Sequence, residues 1–399
     1  MNGAGRPIDM EIYDFIDKKE FETLIKTQSG PYISVFMPMV EKGKETRQNP
    51  IRFKNAIERA KTLLAEAYPR EVLRDMIDLD PAAALINNNE FWRNQQTGLA
   101  LFISPEMIKA YRLPLDFEEW VISSPNRFHV TPLLPLIAYN ASFYVLALSQ
   151  NSCRLFHCDR LQYREVKPKN FPQSLEESLK FDEQEKQFQF HTGAQATGGP
   201  GKRAAMFHGH GVADDEDKDR ILRYFQIVNQ AVTDFSGTQS DPLILAGVEY
   251  LHAIYQEANT YQSLLDEGIT GNPDHLSGQE LHADAWKIME PRTRADLDQA
   301  IAKYHDLKGT GKTDVDLLRI IQESLTGRID QLIIPLDIHQ WGKFYPDSGE
   351  AEVHLEKQPK DEDLINAAAF QALSMGAEVF PVTAAQMPDA ETIIAVFRY

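Results

Sequence analysis

The chain has 399 residues, of which 43% are hydrophobic and 25% charged, so it is long enough to bury more than one hydrophobic core. Its formal net charge of -18 argues against indiscriminate attraction to nucleic acid, since a net negative field repels a phosphate backbone. The most apolar window, 133–149, is interrupted by Pro135, Asn140 and Ser142 and falls short of the roughly 18–20 apolar residues that a membrane span requires.

The first residues, MNGAGRPIDMEIYDF, lack the apolar stretch behind a positive start that marks a secretory signal. We therefore expect a soluble, cytoplasmic protein without a membrane partner. Cys153 and Cys158 lie five residues apart in a strand-like segment, where their side chains point to opposite faces. This spacing favours two small buried groups over a disulfide or a shared metal.

Charge is unevenly distributed along the chain. Residues 41–75 contain nine Lys or Arg against six Asp or Glu, whereas residues 345–399 contain three against ten. This charge asymmetry is compatible with a basic region near one end that binds RNA and an acidic region at the other end that binds protein.

The first third of the chain mixes predicted strands with a long helix. The predicted strands are PYISVFMP (31–38), TGLALFIS (97–104) and EWVISS (119–124). The stretch 49–68 predicts a helix, because its apolar residues recur at helical spacing. Its predicted buried face consists of Ile51, Phe53, Ala56, Ile57, Ala60, Leu63 and Leu64.

Three predicted strands in close succession indicate that a second domain begins near residue 131: SFYVLALS (142–149), SCRLFHCD (152–159) and LQYREVK (161–167). After a glycine-rich loop, four acidic residues at 214–217 stand where a helix dipole favours them, at the start of a predicted helix. Its apolar stripe is Ile221, Phe225, Val228 and Val232. The stretch 241–258 then predicts a buried strand that turns at Gly247 into a helix.

The last third continues this alternation. A long helix is predicted from about residue 282 to 307, with a second helix over 314–327 after a break at Gly309 and Gly311. Predicted strands and one helix follow at 329–337, 352–357, 363–376 (the helix), 377–382 and 392–399. The segment KGTGKTD (308–314) is not a phosphate-binding loop, because Asp306 occupies the position of the first glycine and a helix precedes it. It predicts a turn between helices.

The loop at 191–211, HTGAQATGGPGKRAAMFHGHG, is the most unusual segment, with six glycines, two basic residues and three histidines. A disordered surface insertion is one interpretation. The other is an RNA contact, since glycine permits close approach to phosphates and Lys202 and Arg203 supply positive charge. His191, His208 and His210 lack further ligands at zinc-site spacing, so we predict no metal site and no cofactor.

In their order, these segments resemble the bacterial families of archaeo-eukaryotic release factors. The Gly-Gly loop, the helix DKDRILRYFQIVNQAV and the strand and turn LILAGVEYL resemble the middle domain of class I release factors. TGRIDQLIIPLD, the segment 363–383 and the terminal TIIAVFRY resemble their carboxy-terminal domain, and PYISVFMP with residues 45–64 is similar to the bacterial branch.

The resemblance implies an α/β (α+β) fold of three domains, with an RNase H-like middle domain and a Pelota-type α/β domain at the carboxy terminus. The expected bounds are 1–130, 131–270 with the loop at 191–211, and 271–399. It also implies a factor that binds the ribosome, in contact with rRNA and tRNA, and that in some members travels with a translation GTPase. We expect no DNA partner.

Release factors of this type carry Gly-Gly-Gln in the loop, where the glutamine helps to position water against the peptidyl-tRNA ester. Here Gly198 and Gly199 match the glycines, but Pro200 takes the third position and offers neither a side-chain amide nor a backbone N–H. An out-of-register candidate is Gln195 in Gly-Ala-Gln. No Asn-Ile-Lys-Ser decoding sequence is present, which puts stop-codon reading in doubt.

Three functions follow from these residues. The favoured one is a non-catalytic factor that enters the ribosomal A site with its loop toward the peptidyl-transferase centre, in rescue, stress or hibernation. The second is a peptidyl-tRNA ester hydrolase that uses Gln195. The third is a protein–protein adaptor that retains only the fold. The predicted binding residues of the loop are Gly193, Gly198, Gly199, Lys202, Arg203, His208 and His210.

Overall fold

The computed structural model describes residues 9–69, 72–73, 76–138, 142–178, 210–237 and 241–399, with side chains after the loop described from residue 217. The chain forms two compact units. The first comprises Met1–Ala141, Arg160–Gln162 and Arg292–Tyr399, and the second comprises Ser142–Asp159 and Tyr163–Pro291. The predicted division into three domains stays a prediction.

The amino-terminal part of the first unit is built on a mixed sheet. Its strands are β1 (Met10–Tyr13), β2 (Tyr32–Pro38), β3 (Gly98–Ile103), β4 (Ile108–Leu113) and β5 (Trp120–Ser124). The order is β1-β4-β3-β2-β5, and every neighbouring pair is antiparallel except β1 with β4. Its helices are Lys18–Lys26, Asn49–Ala67, Asp80–Ala84, Asn89–Arg93 and Leu134–Ile137.

The second unit contains a single described sheet. Its strands are β6 (Phe143–Leu148), β7 (Cys153–Cys158), β8 (Tyr163–Val166), β9 (Leu243–Gly247) and β10 (Ile269–Thr270), in the order β10-β9-β6-β7-β8. The pairs β10 with β9 and β9 with β6 are parallel, and the others are antiparallel. Its helices are His210–Ser236 and Glu249–Ala258, and the helix Gly278–Leu307 begins in this unit.

The carboxy-terminal part of the first unit contains two small sheets. One has the order β11-β17-β12-β16 and the other β14-β13-β15. The strands are β11 (Thr313–Asp314), β12 (Ile329–Pro335), β13 (Trp341–Tyr345), β14 (Glu350–Val353), β15 (Glu362–Asp363), β16 (Glu378–Val382) and β17 (Ile394–Phe397). Leu317–Leu325 and Leu364–Ser374 are helices.

Most predicted elements, and the α/β class, are confirmed. In the helix Asn49–Ala67, Phe53, Ala56, Ile57, Ala60 and Leu64 are buried as predicted. Ile51 is wrong as a core residue, since it is 52% exposed in the first turn. The predicted strand at 352–357 is also misplaced, because β14 ends at Val353.

In the second unit, the stripe Ile221, Phe225, Val228 and Val232 is buried as predicted. Cys153 and Cys158 belong to different hydrophobic clusters, are both buried, and form no disulfide. This confirms that the two thiols face opposite sides of β7. Among the residues that the structure describes, no helix is long and apolar enough to cross a membrane.

The two parts of the first unit share one hydrophobic core, which takes buried residues from Ile16–Leu136 and from Ile320–Phe397. The amino-terminal sheet and the helix Leu364–Ser374 therefore pack into the same interior. Core residues from the two parts are nearly 200 or more positions apart in the sequence, so the core forms only when the two parts of the chain meet.

A buried ion pair lies at this joint. Arg127 Nε is 3.0 Å from Glu362 Oε2, and both side chains are at most 4% exposed. Charge attraction holds the pair. Asn126 donates to the other Glu362 oxygen at 2.7 Å, and Arg127 Nη1 donates to the Ala367 carbonyl at 3.2 Å. Burial lowers the pKa of Arg127 and raises that of Glu362, while the opposite charge of each partner counteracts both shifts.

We predict that Glu362→Gln lowers the free energy of unfolding by about 3–5 kcal/mol, because it leaves the buried guanidinium without a counter-charge. Chemical denaturation of the first unit measures this loss. The matched control is Glu58→Gln, whose partner Lys61 is exposed, and it should cost less than about 1 kcal/mol. Equal effects of the two variants would contradict the prediction.

Candidate functional site

The predicted loop site falls almost wholly outside the described residues. Those outside are Gly193, Gln195, Gly198, Gly199, Lys202, Arg203 and His208. His210 is the first residue of the helix His210–Ser236, and its side chain lies outside the described part as well. The loop therefore stays a sequence-based prediction.

The structure describes the helix His210–Ser236, which follows the loop, and the sheet against which this helix packs. The helix that follows the loop packs its apolar stripe with residues of β6, β7 and β9, including Leu146, Leu155 and Leu245. Leu251 and Tyr255 of the next helix complete this cluster. A loop that ends in such a helix is anchored to a packed sheet at its carboxy-terminal end.

A basic groove lies on the outer side of the same helix. Its volume is about 460 Å³, and its wall includes Lys169, Arg223, Gln226 and Gln230. Lys169 and Arg223 are exposed and form no ion pair within the described residues, and Asp234 is the one acid in the wall as described. Unpaired cations beside amide side chains can contact phosphate and sugar oxygens of a nucleic acid. Sequence reasoning missed this groove, since Lys169 and Arg223 are 54 positions apart.

Ser142, His157 and Asp241 also meet in the second unit. The Ser142 hydroxyl lies 2.9 Å from His157 Nε2 and donates to Asp241 at 2.7 Å. In an acyl-transfer triad, the acid contacts the ring nitrogen that faces away from the serine. Here Asp241 is on the serine side, 4.0 Å from Nε2, and Arg164 Nη2 lies 3.5 Å from Nδ1. This arrangement links the ends of the neighbouring strands β6, β7 and β9 and does not activate Ser142 as a nucleophile.

The first unit contains a cluster of aromatic and histidine side chains. The Trp120 ring centroid lies 4.5 Å from that of His339 and 5.7 Å from that of Trp341, and His129 is 6.1 Å from His339. Asp363 joins them, since its Oδ2 is 2.7 Å from His339 Nδ1. One potential ligand atom each of His129, His339 and Asp363 lies within 4.8 Å of the other two.

His129 is held deep in this cluster. Its side chain is 3% exposed, and burial lowers its pKa to about 4, so the ring is neutral at physiological pH. Nε2 lies 3.3 Å from the Thr131 hydroxyl, whereas Nδ1 has no hydrogen-bond partner in the described protein. An unsatisfied buried polar atom costs about 1–3 kcal/mol, which makes this nitrogen unusual.

The Asp363 carboxylate is fixed by backbone contacts. It caps the helix Leu364–Ser374 by accepting from the Ile365 N–H at 3.0 Å through Oδ1. Asn366 in the same helix accepts from the Val130 and Thr131 N–H groups at 2.8 and 3.2 Å. One helix N-terminus thus positions both Asp363 and the segment that carries His129.

A cavity of about 270 Å³ opens beside the cluster. His129, His339 and Trp120 lie in its wall. The charged residues that line it in the described structure are all acids, namely Asp116, Glu118 and Asp337. The cavity thus favours a cationic or neutral occupant over an anion.

None of the cluster residues was identified from the sequence. His129 lies in RFHVTP, His339 in DIHQW and Asp363 in DEDL, and none of these segments has metal-ligand spacing. The first is more than 200 positions from the other two. Only the joining of the chain ends brings these side chains together.

We predict that Asn366→Ala lowers the free energy of unfolding by about 2–3 kcal/mol, because two buried N–H groups lose their acceptor. Denaturant titration provides the measurement. Asn55→Ala, at an exposed position of the helix Asn49–Ala67, is the control and should change stability by less than about 0.5 kcal/mol. A loss below 1 kcal/mol for Asn366→Ala would show that the segment finds other acceptors.

Comparison with known proteins gives one family match. Residues 143–291 match the model of bacterial archaeo-eukaryotic release factor family 7. A search of curated protein sequences gives no match. The matched stretch nearly coincides with the second compact unit, Ser142–Asp159 and Tyr163–Pro291.

Solved structures similar to the chain include the following three proteins. The archaeal termination factor aRF1 has 13% identity, 96% coverage of this chain, 99% of that chain and a TM-score of 0.22. Pelota of Thermoplasma acidophilum has 8% identity, 76% and 80% coverage and a TM-score of 0.23. S. cerevisiae Dom34, a termination-like factor that interacts with Hbs1, has 7% identity, 74% and 73% coverage and a TM-score of 0.30. Over residues 143–291, the predicted resemblance to bacterial archaeo-eukaryotic release factors is confirmed, and that stretch carries the sequence pattern of family 7.

Proposed function

We propose that this protein is a ribosome-associated translation factor that binds the ribosomal A site with its glycine-rich loop toward the peptidyl-transferase centre. The observation that carries the proposal is the family match over 143–291, which includes the whole loop 191–211. Rescue of stalled ribosomes, a stress response or hibernation is the expected setting.

The basic groove of the second unit supports RNA as the binding partner. Lys169 and Arg223 remain unpaired among the described residues of a chain with a net charge of -18. Exposed cations without an acidic partner are available to contact phosphate oxygens. Such contacts with rRNA or tRNA supply most of the sequence-independent affinity for nucleic acid.

The first unit offers a second basic surface around the helix Asn49–Ala67. Lys42, Lys44, Arg47, Lys54 and Arg59 are exposed and form no ion pair with any described residue. The acidic carboxy-terminal stretch 345–399 has the opposite charge and suits a protein partner such as a translation GTPase. The proposed factor thus has RNA contacts in both units and a protein contact near its end.

We predict that Lys169→Glu combined with Arg223→Glu weakens ribosome binding by tenfold or more at moderate salt, about 1.4 kcal/mol or more. The salt dependence should fall by about one unit of log–log slope for each lost phosphate contact. Cosedimentation with ribosomes over a salt series measures both quantities. Lys26→Glu with Lys287→Glu makes the same charge change at exposed, acid-paired positions and should leave binding nearly unchanged.

If both double variants weaken binding equally, the effect is one of net charge and the groove is not the contact. If the unmodified protein does not cosediment, the proposed function itself is wrong. Lys202→Glu with Arg203→Glu tests the loop in the same assay and should also weaken binding, since these are the only cations of the loop.

The alternative function, hydrolysis of peptidyl-tRNA through Gln195, has its own test. We predict no release of labelled peptide from stalled ribosome complexes above background, because Pro200 stands where the family glutamine would orient water. Gln195→Ala should behave like the unmodified protein. Pro200→Gln, which places Gly-Gly-Gln in register, is the matched positive control. Release by the unmodified protein that disappears in Gln195→Ala would establish the hydrolase instead.

A further inference from the structure

We propose that His129, His339 and Asp363 of the first unit bind one divalent transition-metal ion of the zinc type, with a coordination position open to the adjacent cavity. This inference concerns residues outside the family match at 143–291 and is independent of the proposed function. It adds a metal where the sequence alone predicts none.

The donor set is the first argument. Two imidazoles and one carboxylate, with a further position left for water or another ligand, form a common protein site for zinc and related first-row ions. The three residues are the group of potential ligands that converges in the described part of the chain. Their ligand atoms already lie within 4.8 Å of one another. Zinc bonds of roughly 2.0–2.1 Å require ligand atoms closer to 3.3–3.5 Å apart, so closure needs shifts of about 1 Å.

The freedom to make that shift lies in one residue. His339 is 23% exposed and is the least buried of the three, whereas Asp363 is 2% exposed and tied to the backbone of the helix that it caps. A fixed carboxylate and a deeply buried His129 provide two rigid ligands. His339 is then the ligand that adjusts.

The second, independent observation is the unpartnered nitrogen of His129. The side chain is 97% buried, yet Nδ1 has no hydrogen-bond donor or acceptor in the described protein. In either neutral tautomer the ring has one bare lone pair and one N–H, so Nδ1 needs a partner whichever nitrogen holds the proton. Metal coordination would draw on the ring's lone pair, and the opposite ring nitrogen would then hold the hydrogen, as it does in metal-bound histidines.

The surroundings fit a cation more than an anion. The charged residues that line the cavity are Asp116, Glu118 and Asp337, and His129 and His339 themselves form part of its wall. The nearby cation is Lys357, whose ammonium lies 4.0 Å from the Trp341 ring centroid. That ring face attracts the ammonium. A water or a small ligand in the cavity can complete the coordination.

Such an ion would join the segment of His129 to two segments that lie more than 200 positions later in the sequence. His129 belongs to the end of the amino-terminal part, His339 precedes β13, and Asp363 begins the helix Leu364–Ser374. Because a metal binds only the folded arrangement, its binding free energy adds to the stability of the joint.

The test uses the full chain in a background where His191, His208 and His210 are replaced by alanine, so that the loop cannot contribute ligands. Equilibrium dialysis against Zn²⁺ should give one ion per chain. His339→Ala should weaken binding by more than about 100-fold, because even the loss of a group that only hydrogen-bonds to a ligand costs about 10- to 100-fold. His129→Ala should have the same effect.

His305→Ala is the matched control, since His305 is a half-exposed histidine of the helix Gly278–Leu307 outside the cluster. It should retain one tightly bound zinc. Cobalt(II) supplies a second readout, because a site of imidazole and carboxylate ligands gives visible d–d absorption that His339→Ala should abolish. Circular dichroism of each apo variant separates loss of the site from loss of the fold.

Three outcomes overturn the proposal. One is the absence of stoichiometric zinc in the background chain. Another is equal zinc affinity in the background chain and in a folded His339→Ala variant. The last is stoichiometric zinc binding by the unmodified chain that is lost in the background chain, because the loop histidines would then be the ligands. If His129→Ala does not fold, His339→Ala decides the question, because the His339 side chain is 23% exposed and that of His129 only 3%.

Discussion

The first unit depends on a buried polar joint between residues that are more than 200 positions apart. Arg127 and Glu362 face each other there, and Asn366 satisfies the backbone of the segment that follows Arg127. Groups of this kind are costly to bury unless every partner is present. The joint therefore does more than hold two sheets together, because it fixes the register in which they meet. Without it, the amino-terminal sheet and the helix Leu364–Ser374 would have only a non-directional apolar contact.

The same constraint creates the cluster around the cavity. Asn366 aligns the backbone on either side of His129, and Asp363 caps the same helix while it contacts His339. The N-terminus of the helix Leu364–Ser374 thus positions the residues of the cluster.

The second unit positions its charged residues in a different way. There an amphipathic helix packs on a mixed sheet, and its Arg223 shares a groove with Lys169 of the segment that follows β8.

Local patterns in the sequence predicted most of the elements. Alternation and apolar runs located β2, β3, β6, β7 and β9, and helical spacing located the core of Asn49–Ala67. Ile51 was misplaced because a first-turn residue can satisfy helical spacing and still project beyond the sheet that covers the helix. The spacing of apolar residues predicts which of them share one face of a helix. It does not predict how much of that face the neighbouring sheet covers.

The site residues required information that no local pattern carries. The order of segments predicted the release-factor resemblance, and the family match confirms it over 143–291. His129, His339 and Asp363 stand in three unremarkable segments, and their proximity is a product of tertiary pairing. Lys169 and Arg223 were likewise ordinary surface residues until the fold placed them in one groove. Glycines, in contrast, could be interpreted locally, as Gly309 and Gly311 with their positive φ angles end the long helix.

The interleaved order of the two units has a consequence for biosynthesis. The second unit is encoded between the two halves of the first, so during synthesis it emerges complete while the amino-terminal sheet still lacks residues 320–397 of its core. Until residues 320–397 leave the exit tunnel, the apolar side chains of this shared core lack part of their packing partners. The nascent chain therefore passes through a stage in which the second unit is complete and the core of the first unit is not. The incompletely packed apolar surface of the first unit is then accessible to chaperones.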